Sequence, residues 1–113
     1  IKAIAAKDNI TALKINSSRM LFAAGFLRKV FDIFESYHTP IDMIATSEVS
    51  VSMSIEDKSH LADILSELKK YGTVTTESEM SIVCVVGDLD WNNTGFVAKV
   101  TAALKDIPVR MIS

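Results

Sequence analysis

The sequence predicts an α+β fold built on a repeated βαββαβ unit, and three observations carry the prediction. Apolar residues alternate with serines from Val49 to Ile55, the period of a strand with one face turned to a core. Stripes at helical spacing follow Gly25 and again follow Ser59. The same motifs then return in the same element order about 70 positions later.

The elements follow in chain order. Lys2–Ala6 reads as a short apolar strand, Asp8-Asn9 as a turn, and Ile10–Asn16 as a second strand with Leu13 and Ile15 on one face. Ser17–Ala24 is a loop ending at Gly25. The helix after it carries Leu27, Val30, Phe31, Phe34 and Tyr37 or His38 on its apolar stripe, with Arg28, Lys29, Asp32 and Glu35 on the other side. It must stop before Pro40. Ile41–Ala45 reads as a buried strand, and the alternating strand with its half-exposed serine face comes next. Asp57 or Ser59 can cap a second helix with the stripe Leu61, Ile64, Leu65 and Leu68. Gly72 sits where a left-handed C-terminal cap is wanted. Val74–Glu77 and Ser81–Val86 read as two strands, Asn92–Asp106 as a third helix with Phe96, Val97, Val100 and Leu104 inward, and Val109–Ile112 as a last strand after Pro108.

The repeat is the most informative feature. Gly25-Phe26-Leu27-Arg28-Lys29-Val30 returns as Gly95-Phe96-Val97-Ala98-Lys99-Val100, 70 positions on. Pro40-Ile41-Asp42-Met43-Ile44 returns as Pro108-Val109-Arg110-Met111-Ile112, 68 positions on. Each unit packs two helices on one face of an antiparallel sheet, the ferredoxin-like arrangement. The second copy breaks off at Ser113, and the opening strand is left over from the first. The reading is therefore a first unit over 9–79, inserted within an incomplete second unit made of 1–8 and 80–113.

Composition narrows the function. Hydrophobic residues are 49% of 113, enough for a packed core, and the formal net charge of −2 lacks the basic surplus of a nucleic-acid binder. RNA-binding members of such folds present aromatic residues on strands, whereas here the strand faces carry serine. The longest apolar run, Ile82-Val83-Cys84-Val85-Val86, is strand length and far short of a membrane helix. The single cysteine cannot form an internal disulfide and suits a reducing, cytoplasmic setting. No charged-then-apolar leader opens the chain, which starts at Ile1 inside a strand pattern and reads as a segment of something larger.

Catalytic and metal chemistry is missing from the pattern. Cys84 lies in the most apolar strand and reads as a buried core thiol. His38 and His60 stand 22 apart with no partners at ligand spacing, so no metal site is read. The four glycines are not clustered into a phosphate loop. Trp91, just before a helix, reads as a packing residue. What remains is a binding site. Gly25 opens a helix whose first N–H groups suit a carboxylate. Asp42 starts the neighbouring strand, and Thr46, Ser47 and Glu48 form a polar break. Acidic residues near a carboxylate receiver suit an amino acid with an extra positive charge. A solvated strand start and a polar turn are the plainer alternative on residue types alone. Arg110 replaces Asp42 in the second copy, so the two copies are not equivalent.

These residues also carry a family resemblance. Ser18-Arg19-Met20-Leu21, Gly25-Phe26-Leu27, Lys29-Val30-Phe31, Ile41-Asp42 and Thr46-Ser47-Glu48-Val49-Ser50 resemble the tandem ACT regulatory region at the C-terminal end of aspartokinases. The Thr-Ser-Glu-Val-Ser string is typical of the lysine-sensitive monofunctional class. The resemblance implies a parent enzyme that uses ATP and Mg to phosphorylate the aspartate β-carboxylate, with its kinase domain upstream and no cofactor in this segment. It implies a homodimer through ACT units, with lysine bound between subunits as feedback inhibitor. Carried over by position, Met20, Ala23, Gly25, Phe26 and Leu27 would hold the amino-acid head. Pro40, Ile41 and Asp42 would supply backbone and carboxylate contacts. Thr46, Ser47 and Glu48 would complete the pocket, partly from the partner subunit. The chain departs from the bacterial pattern at Phe22 and Ala23, where polar residues are frequent. Threonine or S-adenosylmethionine as effector, or a purely structural dimerisation module with a degenerate pocket, are the alternatives.

Overall fold

A computed structural model describes residues 3–17, 25–87 and 95–112. Its elements are β1 (Ala3–Asn16), α1 (Phe26–Ser36), β2 (Met43–Thr46), β3 (Ser50–Ile55), α2 (Leu61–Leu68), β4 (Thr73–Val86) and α3 (Gly95–Ala103). The sheet is antiparallel with the order β2-β3-β1-β4. Together β1-α1-β2-β3-α2-β4 form the expected ferredoxin-like unit, in which β1 and β2 point the same way.

The core forms because every element of this unit turns one apolar face inward. Leu13 and Ile15 of β1, and Val51, Met53 and Ile55 of β3, are buried against Phe26, Val30, Ile33 and Phe34 of α1 and Ile64 and Leu68 of α2. Burying a side chain of this size contributes roughly 1.5–3 kcal/mol. The α1 stripe is thus turned by one position from the sequence expectation. Phe26 and Ile33 point inward, while Leu27 and Phe31 remain 40% and 42% exposed. The short turn from Ser36 to Pro40 sets this rotation, with Thr39 buried and its N–H donating to the Phe34 carbonyl at 2.9 Å.

Several boundaries differ from the sequence reading. Asp8-Asn9 does not end a strand, because β1 continues through both residues. Two compensating bulges explain it. The ladder pairs Lys7 with Ile82, Ile10 with Met80 and Ala12 with Glu77. Asp8 and Asn9 therefore oppose Ser81 alone, and Thr11 alone opposes Ser78 and Glu79. Asn9 and Glu79 take left-handed backbone at φ 59 and φ 57. The same device merges the two expected strands 74–77 and 81–86 into β4.

The serine face of β3 is more covered than its alternation implied. Ser50 and Ser54 are buried, and the Ser54 hydroxyl accepts from the Met43 N–H at 3.0 Å. Gly72 is not a left-handed cap, since Gly25 alone among the described glycines has a positive φ, of 85. Gly72 instead lets chains pass closely: a Cβ there would lie 2.4 Å from the Asn16 carbonyl oxygen. Neither Asp57 nor Ser59 caps α2 directly, because the residue preceding the helix is His60. Asp57 Oδ1 accepts from the Ser59 N–H at 2.9 Å and its hydroxyl at 2.6 Å, closing the turn before the helix.

Beyond the bulges the molecule is open. Among the described residues, the buried cluster takes nothing from 3–9 or from the chain after 77. Cys84, expected in a core, is exposed, because this half of β4 pairs only with β1 and lies outside the faces that α1 and α2 cover. Val97 is 64% exposed, so the expected inward stripe of α3 does not hold there. Residues 109–112 form no strand, having no ladder partner among the described residues. Trp91 and the expected helix start at 92–94 lie outside the described residues.

Candidate functional site

The candidate residues occupy two ends of one strand. At the first end, β1 finishes at Asn16, and the Ser17 N–H donates to the Val49 carbonyl at 2.9 Å. This bond ties the end of β1 to the turn between β2 and β3. In that turn the Ser47 hydroxyl bonds the Ser50 hydroxyl at 2.8 Å and accepts from the Ser50 N–H at 3.1 Å. Thr46 and Glu48 are exposed beside it. Gly25 precedes α1 in left-handed backbone, leaves its first turn without a side-chain cap, and accepts from Lys29 N–H at 3.0 Å. Phe26 anchors that start in the core and Leu27 faces outward. Met20, Ala23 and the departure at Phe22 lie outside the described residues.

At the second end stands Asp42. Its N–H donates to the Ser54 carbonyl at 2.8 Å, which holds the start of β2 on β3. Pro40, Ile41 and Asp42 line an open groove of ≈ 580 Å³ with Phe31, Phe34 and Glu35 from α1, His38 from the turn after it and Ile44 from β2. Asp42 and Ser47 stand about 16 Å apart along the extended chain. The 11 residues of α1 separate Gly25 from the turn that leads to Pro40 by about as much. Within one protomer the structure therefore brings Pro40, Ile41 and Asp42 together, and separately sets Gly25, Phe26 and Leu27 toward the end that holds Thr46, Ser47 and Glu48. It does not join the two sets.

The electrostatics of the second end include a residue the sequence reading missed. Lys7 Nζ lies 3.9 Å from Asp42 Oδ1 and 3.5 Å from Glu56 Oε2. No spacing rule links residues 7, 42 and 56; only the β1-β3-β2 pairing brings them together. Arg110, the counterpart of Asp42 in the repeat, donates from Nε to Glu77 Oε2 at 2.9 Å and so is engaged on β4. Among the described residues no three His, Cys, Asp or Glu side chains group to hold a metal ion. No described helix is long and apolar enough to cross a membrane.

The ferredoxin-like unit agrees with the class that the sequence resemblance implied, an ACT-type regulatory domain. No family model matches the chain. Known proteins do. It is 50% identical to a C-terminal regulatory domain of aspartate kinase from Porphyromonas gingivalis, covering 100% of this chain and 77% of that one at a TM-score of 0.85. It is 31% identical to Escherichia coli aspartokinase III in complex with lysine and aspartate (T-state), covering 99% of this chain and 26% of that one at a TM-score of 0.82. The aspartokinase of Candida albicans is 37% identical over 98% of this chain. The chain belongs to the regulatory-domain family of the aspartokinases. It spans 22% of the length of the Candida relative.

Proposed function

We propose that this chain is the effector-binding region of an aspartokinase, that it pairs with a second copy through β2, and that lysine binds between the copies as feedback inhibitor. The observation that carries the reading is the position of β2. It is a short edge strand with Asp42 at one end and the Thr46–Glu48 turn at the other. Two copies adding antiparallel along β2 would set the partner's Thr46, the partner's Ser47 and the partner's Glu48 beside Asp42. The helix start at Gly25 of one copy would face the Asp42 end of the other. Residues that one protomer keeps about 16 Å apart thus become one pocket across a two-fold axis. The half-exposed Phe31, which lines the groove beside β2, and Leu27 four positions before it on α1 offer apolar surface for the pairing. Aspartokinase III of Escherichia coli, seen with lysine bound, supports the choice of ligand.

In this reading the helix start receives the carboxylate of lysine and Asp42 its ε-ammonium. The first unit, 9–79, holds the site, and 1–8 with 80–113 act as scaffold. The compensating bulges at Asn9 and Glu79 fall at that division. A kinase domain earlier in the full protein carries ATP, Mg and the phosphorylation of aspartate, in the cytoplasmic synthesis of amino acids. Lysine lowers that activity only to the degree that it binds the inhibited arrangement better than the active one.

A second reading, dimerisation without an effector, is favoured by two contacts: Lys7 already stands in ion-pair range of Asp42, and the Ser47 hydroxyl is spent on its own turn. Thermal melts of the full-length protein with lysine, threonine, methionine and S-adenosylmethionine separate the readings. At roughly 100 times the dissociation constant, the true effector adds about 2.7 kcal/mol of stability. A shift with lysine alone supports the lysine sensor. A shift with threonine or S-adenosylmethionine instead reassigns the effector, and no shift with any of the four leaves the dimerisation module.

A further inference from the structure

We propose that Lys7 is a built-in competitor for the cationic end of the effector, and so sets the strength of the response to it. The inference rests on the reading of Asp42 as the effector's cation partner. Its ammonium lies 3.9 Å from Asp42 and 3.5 Å from Glu56, the distance range of an ion pair. Any ligand that brings its own ammonium to Asp42 must displace this one or share the carboxylate with it.

The geometry makes displacement inexpensive. The Lys7 backbone is fixed in the ladder opposite Ile82, immediately before the bulge at Asp8 and Asn9. Its four-carbon stem is free to swing, since the side chain is 56% exposed. Solvent-exposed pairs of this kind contribute at most about 1 kcal/mol. Glu56 is 57% exposed and offers the displaced ammonium a second carboxylate, so leaving Asp42 does not strand the charge. Lys7 therefore weakens a cationic effector modestly and leaves untouched one that makes no use of Asp42. This is a selective effect, and a residue with a merely structural role would not produce it.

The test uses the full-length protein and equilibrium binding of L-lysine and L-threonine to the wild type, Lys7→Gln, Lys7→Arg, Asp42→Asn and the double variant Lys7→Gln/Asp42→Asn. Lys7→Gln should bind lysine about two- to fivefold more tightly, the range expected for losing an exposed competing pair. Any threonine binding should stay unchanged, Lys7→Arg should behave as wild type, and the double variant should bind lysine no more tightly than Asp42→Asn alone. Equal lysine affinity in wild type and Lys7→Gln would overturn the role of Lys7 while leaving the lysine site standing. Absence of lysine binding in both would overturn the site and the competition together.

Discussion

The Ser81 hydroxyl donates to Asp8 Oδ1 at 2.6 Å, bridging residues 73 positions apart at the point where β1 bulges against β4. The bridge joins the one residue of β4 that faces two residues of β1. On one side of it lies the packed unit with its buried cluster. On the other lies a two-stranded ribbon whose β1 residues are all exposed.

This contact should matter locally. Asp8→Ala removes a charge-assisted bond at an exposed site, worth about 1 kcal/mol. Amide hydrogen exchange should quicken over 3–7 and 82–86 while 10–16 stays protected, because the second stretch is held by β3 as well. Uniform loss of protection across β1 would show that the two halves open as one.

Gly72→Ala should destabilise the fold by about 1–3 kcal/mol, read from denaturant midpoints. The atom its Cβ would meet is the Asn16 carbonyl oxygen, which is main chain and cannot rotate away. Gly25→Ala makes the contrasting case. Among the described residues a Cβ there meets nothing within 4 Å, so the cost expected is that of left-handed backbone, about 1–2 kcal/mol.

Asp57 sets a small pH dependence. Hydrogen bonds from the Ser59 hydroxyl and then the Ser59 N–H hold its carboxyl below the ordinary 3.8. A lowered folded-state pKa gives stability that is present above the unfolded value and lost as pH falls through the folded one. Asp57→Asn should therefore flatten part of the fall in stability below about pH 4, measured by melts from pH 5 to pH 2. An unchanged slope would show that the turn before α2 does not report on folding.

Much of this molecule was legible in its residues. The alternation of Val51, Met53 and Ile55 and the stripe of Ile64 and Leu68 led directly to the buried cluster. The repeat pointed to the βαββαβ unit. What escaped depends on contacts that no local pattern encodes. Leu27 and Phe31 obey helical spacing as well as Phe26 and Ile33 do, and only the entry through Gly25 and the exit through Thr39 decide which pair turns inward. Ser81 to Val86 is apolar enough for a core, yet its surroundings place Cys84 at the surface. The candidate site was legible as a set of residues and illegible as a place. Asp42 and Ser47 look adjacent in sequence, but a strand keeps them apart, and Lys7 reaches Asp42 only through sheet pairing.

The central claim, that Asp42 receives the cation of lysine, is tested most directly by calorimetric titration of L-lysine into the full-length protein and its Asp42→Ala variant. The account predicts saturable binding by the wild type and at least about tenfold weaker binding by the variant, the loss expected for one charge-assisted contact. Equal lysine affinity in the two proteins would contradict it.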